Sequence, residues 1–319
     1  MDLLGIYHHS IPEFLARAAQ TPPLQRLRGV GMNCGCEYTS FPQFAGWQPY
    51  SRYDHSLGAA LIVWHFTADP CQAMAALLHD AATPVFSHVV DFLRGDYMTQ
   101  ESTEAGLEDI VTGSGELMQV LAEFDIPVEA VLDYHRYPIA DNDSPKLSAD
   151  RLEYTLGNIV NFAFGDERRV RWYYEDLMAT PGELVFRHED RAAAFARDAL
   201  RCGRVYVSDE DRFSMQLLAE LLKKAAQAGI LTEQDLYLQE RDVIERLMAS
   251  PVKQDWLAFR QLHRVLRTQG EGRRIPAKKR WIDPALKDGR RVSQWDEAFA
   301  QHLEAFLWED LEIPLIAAP

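Results

Sequence analysis

An apolar run in this chain ends in Leu77-Leu78-His79-Asp80. Adjacent helical side chains diverge by about 100°, yet at a helix end both can reach one metal ion beside the axis. The dipeptide alone is equally a helix-terminal pair holding nothing. Its company changes the reading. Arg52-Tyr53-Asp54-His55-Ser56-Leu57-Gly58 puts His55 24 residues before His79. Ser148-Ala149-Asp150-Arg151-Leu152-Glu153-Tyr154 puts Asp150 70 residues after Asp80. On the helix that carries Asp150, Leu152, Leu156, Ile159 and Val160 face a core, while Asp150, Tyr154 and Asn158 form a polar stripe at i, i+4, i+8. A carboxylate buried there needs a partner, and a metal ion is an economical one.

Other groups could take part. His88 and Asp91 stand three apart on the polar side of a segment that buries Val85, Phe86, Val89, Val90 and Phe92. A His paired with an Asp in a cleft is a natural general acid or base; the alternative is a buried hydrogen-bonded pair. Arg52 precedes His55 by three residues, and Arg151 directly follows Asp150. His135 precedes an acidic turn, Ala140 to Ser144, that feeds into the Asp150 helix. His8, His9, His65, His188, His263 and His302 lack such context and read as structural or surface residues.

Helical periodicity dominates the elements that must position these groups. It predicts helices over residues 56–67, 70–80, 84–94, 101–124, 128–134, 145–164, 191–202, 209–228, 233–248, 254–268 and 294–310. Thr83-Pro84 and Ser144-Pro145 each read as an N-cap followed by proline at the first helical position. Gly95 and Gly229 read as helix stops. Residues 205–207 and 274–281 carry weak strand signals. A break at Thr180-Pro181-Gly182 divides a motif-rich part, residues 1–180, from a plainer helical part, residues 181–319.

The order His…His-Asp…Asp, set in RYDHSLG, LLHD and ADRLEY, resembles the HD superfamily of metal-dependent phosphohydrolases. The wording is similar to its dNTP triphosphohydrolase branch and uncharacterised bacterial relatives, which read RFEHSLG, LCHDxGHxPFSH and a D-x-x-x-Y helix. The likeness runs from about Gln25-Arg26-Leu27-Arg28 to Asn158, with a shorter echo at Lys279-Arg280-Trp281-Ile282-Asp283-Pro284. It implies an all-α HD-domain fold, here with an additional helical C-terminal region. It implies His55, His79, Asp80 and Asp150 as metal ligands, Arg52 and Arg151 as phosphate-binding cations, and His88 with Asp91 in substrate contact and proton transfer. The match is incomplete. Thr83 and Thr103 stand where that branch has catalytic histidines, Met32 where it has a sugar-reading Gln, and Asn158 where it has an Asp. His135 is the residue that could compensate.

Two imidazoles and two carboxylates bring a charge near −2, matching one divalent ion; mixed N and O donors suit Mn, Fe, Co, Ni, Zn or Mg. Such an ion polarises a phosphoryl oxygen. The sequence therefore predicts hydrolysis of a phosphate ester or anhydride in a nucleotide or another small phosphorylated metabolite, with Arg52, Arg151, Tyr154, Asn158 and His135 around the substrate. A non-catalytic nucleotide or metabolite sensor is the alternative that Thr83 and Thr103 favour. A di-iron HD oxygenase would need further histidine ligands, with only His88 and His135 available. The net charge of −15 argues against nucleic acid and acidic membrane surfaces. No apolar run is long enough to span a bilayer, and no secretory signal is visible at Met1 to Gly5. Four cysteines, with Cys34-Gly35-Cys36 misspaced for a zinc knuckle, make a reduced cytoplasm the default. A homo-oligomer is compatible with all of this.

Overall fold

The computed structural model describes residues 3–94 and 106–318, with Leu93 and Arg94 described by their backbone alone. The fold is helical, with two small antiparallel sheets among the described residues. One pairs Leu177–Ala179 with Leu184–Phe186; the other pairs Val265–Arg267 with Leu315–Ala317. Buried apolar side chains form one continuous core from Leu3 to Leu315. All four cysteines are free thiols. No helix among the described residues is long and apolar enough to cross a membrane.

Three helices organise the site. The first, Arg52–Thr67, begins in a capping box: the Ser51 hydroxyl accepts from the Asp54 N–H and the Asp54 carboxylate accepts from the Ser51 N–H, both at 3.2 Å. It turns at Ala68, in the left-handed region at φ 50°, into Pro70–Leu78. There the Asp69 carboxylate accepts from the Cys71 and Gln72 N–H groups, and Pro70 supplies a preset first turn. The two helices pack against each other, and the small residues Ala59, Ala60, Ala73, Ala75 and Ala76 on them are almost fully buried. The third helix, Ala149–Asn161, starts where the Ser148 hydroxyl accepts from the Arg151 N–H, and its Leu152, Leu156 and Ile159 are fully buried. It lies so close to the first that a Cβ at Gly58 would sit 2.7 Å from Glu153 Cγ.

Several boundaries differ from the sequence reading, each for a tertiary reason. The first helix starts at Arg52, so His55 lies inside it rather than at its head. Thr83-Pro84 does not open a helix. Thr83 Oγ1 donates to Asp80 Oδ1 at 2.7 Å, Val85 N–H goes to Leu236 O, and Phe86 and Ser87 adopt φ of 58° and 50°. The helix is only Val89–Arg94. Ser144-Pro145 caps nothing either, because Pro145 and Leu147 carbonyls are taken by Asp283 and Leu184 of the C-terminal half. Residues 205–207 are not a strand: Glu189–Tyr206 is one helix. Residues 254–268 divide into Lys253–Arg260 and the strand Val265–Arg267. Residues 233–248 divide into a 3-10 turn, Glu233–Tyr237, and the helix Glu240–Met248. Residues 128–134 hold the 3-10 turn Val128–Ala130 and the start of another, Tyr134–Arg136. Residues 107–123 form two helices, Leu107–Gly113 and Gly115–Glu123, parted where the Ser114 hydroxyl accepts from the Leu117 N–H. Gly229 does end its helix, with φ 69°. Gly95, Thr103 and the start of the segment predicted from residue 101 lie outside the described residues.

Candidate metal centre

His55, His79 and Asp80 are buried, and their donor atoms all lie within 4.8 Å of one another. The imidazole Nε2 atoms are 3.3 Å apart. Asp150 Oδ1 is 3.1 Å from His55 Nε2 and 3.5 Å from His79 Nε2. Asp80 Oδ2 is 3.8 and 3.6 Å from the same two nitrogens. The four sequence-predicted ligand residues thus converge from three helical elements.

The far side of each ring is fixed. His79 Nδ1 lies 2.7 Å from the Ala76 carbonyl, and His55 Nδ1 lies 2.7 Å from Glu153 Oε2. A carbonyl and a carboxylate only accept, so each Nδ1 carries a proton and each Nε2 is the ring nitrogen turned inward, able to give its lone pair to a cation in place of a proton. Two lone pairs and two carboxylates facing one point demand a positive charge there. The pKa of His55 expresses the same demand. Burial alone would lower it, but bonds to Asp150 and Glu153 outweigh burial and raise it to about 10. A divalent cation fits this donor set.

Asp80 is braced from outside. Its Oδ1 accepts from Thr83 and its Oδ2 from Arg52 Nη1 at 2.9 Å. Burial would raise its pKa, but Arg52 and His79 hold it well below the usual carboxylate range. Arg52 Nε also donates to Ser87 at 3.1 Å. Arg52 therefore serves the metal ligand directly.

The centre opens into a cavity of about 550 Å³. Its walls include Arg52, His88, Tyr154, Asn158 and, at the rim, His135. His88 Nδ1 lies 2.9 Å from Asp91 Oδ2, so the predicted pair forms, with Asp91 fully buried. Asn158 donates to Tyr206 Oη at 2.9 Å. His135 pairs with Asp141 at 2.9 Å. Arg151 also lines the cavity, but its guanidinium bonds the Asn142 and Lys146 carbonyls and so is engaged in ordering the loop ahead of its helix.

Sequence reasoning missed four participants. Glu153 stands three residues after Asp150, on the same helix face, and that spacing was a usable signal. Tyr134 packs its ring 4.9 Å from that of His79. Lys278 and Arg280 reach the cavity from the C-terminal half. Glu153 lends itself to a test. Its carboxylate also accepts from Tyr7 and Tyr50 hydroxyls. Glu153→Gln keeps the volume but weakens the acceptor for His55 Nδ1–H. Metal affinity is expected to fall about 10–100-fold, read by chelator competition, with the fold retained. Unchanged affinity would make Glu153 a packing residue only.

No family model matches the chain. It is 24% identical over 254 residues to the uncharacterised protein YdhJ of Bacillus subtilis, covering 78% of this chain and 75% of that protein. It is 29% identical over 153 residues to the metal-dependent phosphohydrolase cns2 of Cordyceps militaris, covering 46% of this chain and 41% of that protein. Its fold is similar to that of a phosphohydrolase from Bacteroides thetaiotaomicron, with TM-score 0.65 and 15% identity over 97% of this chain and 96% of the other. A hypothetical protein from Aquifex aeolicus has TM-score 0.63 and 17% identity, covering 91% of this chain and 89% of the other.

Proposed function

We propose that this chain, a member of the HD-type phosphohydrolase superfamily by its motifs and its fold, hydrolyses a phosphate ester or anhydride of a nucleotide or another small phosphorylated metabolite. The observation that carries this reading is the pair of imidazoles with pinned Nδ1 atoms and inward Nε2 lone pairs, flanked by Asp80 and Asp150. A divalent ion held by these four residues would polarise a phosphoryl oxygen. The chain's own groups do the rest. Arg52, Lys278 and Arg280 offset, within the cavity, the repulsion that a net charge of −15 exerts on an anion. His88 Nε2 accepts a proton from the attacking water as the new P–O bond forms. The P–O bond to the leaving group then breaks, and that oxygen regains a proton from solvent. Asp91 orients the His88 ring through Nδ1.

The test is a panel of phosphorylated compounds assayed with Mn, Co, Ni and Mg, alongside metal analysis of the purified protein. Phosphate release that depends on a bound ion is the expected result. A second reading, a sensor without turnover, draws on Thr83, whose hydroxyl is spent on Asp80 and has no acid function near neutral pH. Binding of a compound without phosphate release under any metal would favour it. His88→Ala should lower kcat about 10²–10⁴-fold while the metal content stays unchanged. Full kcat in that variant would make His88 structural.

A further inference from the structure

Residues 273–284 form a strap without helix or strand, from which Ala277, Lys278 and Arg280 line the cavity. Arg273 pairs with Leu315 at one end. Near the other end, Asp283 accepts from Ser293, and its N–H bonds the Pro145 carbonyl at 3.0 Å. In between, the strap presses on bare backbone: a Cβ at Gly203 would sit 2.7 Å from the Arg280 carbonyl oxygen. Lys279 reaches outward to the Leu307 and Glu309 carbonyls. Arg280 reaches inward, and its Nη2 lies 3.3 Å from His88 Nε2.

A guanidinium only donates, so the ring nitrogen facing it must be the acceptor. The opposite nitrogen faces Asp91 Oδ2 at 2.9 Å, which only accepts when ionised, so Nδ1 carries the proton. We propose that Arg280 is a positioning residue acting through His88: it holds the imidazole as the neutral Nδ1–H tautomer and opposes protonation of the Nε2 that faces the cavity. The Arg280–His88 contact stands by itself; its value to turnover rests on the phosphohydrolase reading above.

The charged groups around His88 are Asp91 from the helix that follows it, Arg280 from the strap and Arg52 from the first ligand helix. The Cys34 thiol beside the His88 backbone is neutral, its pKa pushed up to about 12, chiefly by burial. Burial lowers the His88 pKa, Asp91 works against that, and the two guanidinium groups add to the lowering. Asp91 thus orients the ring, while the cations keep it unprotonated and able to act as a base.

The experiment uses the full chain labelled with ¹⁵N-histidine and loaded with Mg²⁺ or Zn²⁺, with His88 assigned by its loss in His88→Asn. Long-range ¹H–¹⁵N correlations report which ring nitrogen is protonated. The native protein should hold the Nδ1–H tautomer. Arg280→Gln should raise the proton affinity of His88 about tenfold, moving its titration up by about one pH unit, and Arg280→Lys should largely restore the native value. An Nε2–H tautomer in the native protein would overturn the proposal. So would an Arg280→Gln variant that titrates like the native chain, or an Arg280→Lys variant that titrates like Arg280→Gln. If the protein releases phosphate, the acid limb of its kcat profile should shift upward by the same unit in Arg280→Gln, and an unshifted limb would separate Arg280 from catalysis. Absence of any phosphate release would sink the functional reading and leave the spectroscopic result standing.

Discussion

Asp150→Ala should reduce the bound metal from about one ion per chain to almost none and abolish phosphate release, with the fold preserved. Removing this carboxylate leaves one negative charge against a divalent ion and takes away the oxygen nearest both imidazole Nε2 atoms. The fold should survive because Asp150 does little for packing. Its side chain is 21% exposed, and its helix is held by the Ser148 cap and by Leu152, Leu156 and Ile159. Asp80→Ala would not separate chemistry from folding so well. It would leave Arg52 buried without its 2.9 Å ion-pair partner, a change that typically costs about 3–5 kcal/mol. Elemental analysis, thermal melts and steady-state kinetics on the same Asp150→Ala preparation decide the matter. A variant that still carries its full complement of metal would remove Asp150 from the ligand set.

The metal centre was legible through its motifs. His79-Asp80 at the end of an apolar run, His55 inside RYDHSLG and Asp150 inside ADRLEY each have a structural reading alone, and it is their order and wording together, in their resemblance to the HD superfamily, that imply one ligand set. The helices that carry them were legible from their apolar periodicity. Thr83-Pro84 misled because a hydroxyl before a proline looks like a cap, while its real partner, the Asp80 carboxylate, lies behind it and is itself braced by Arg52. Local pattern cannot rank a backbone N–H donor ahead against a carboxylate acceptor behind. Arg280 stands in the Lys279-to-Pro284 segment that the resemblance already marks, but its role lay further out of reach. Arg280 is 192 residues from His88, on a segment with no helical period and no ladder to fix which side chains face inward. The strap's anchors determine that, among them Gly203, Asp283, the Arg273–Leu315 pairing and the bond from Arg212 to the Ile275 carbonyl, and all of them are tertiary.

Arg212 turns that dependence into the second large expected effect: Arg212→Met should destabilise the protein by about 3–5 kcal/mol. The side chain is fully buried. Its Nε donates to the Val207 carbonyl at 3.0 Å, its Nη1 to the Ile275 and Leu311 carbonyls, and its Nη2 to Asp209 Oδ1 at 2.7 Å. One guanidinium thereby ties the start of the Asp209–Gln227 helix to the strap and to the chain beyond Glu297–Leu307. Methionine fills much of the volume but donates nothing. It would strand three buried carbonyls and leave Asp209 paired only with Arg267 at 2.6 Å. Each unsatisfied buried acceptor costs about 1–3 kcal/mol, so partial relaxation still leaves a large loss. Denaturant unfolding measures it, and Arg212→Lys provides a milder variant should the methionine protein fail to fold. Because Ile275 sits five residues before Arg280, loosening the strap should also lower kcat without releasing metal from His55, His79, Asp80 and Asp150. Stability within about 1 kcal/mol of the native chain would mean that water or neighbouring donors replace the guanidinium, and that the strap is held by its other anchors.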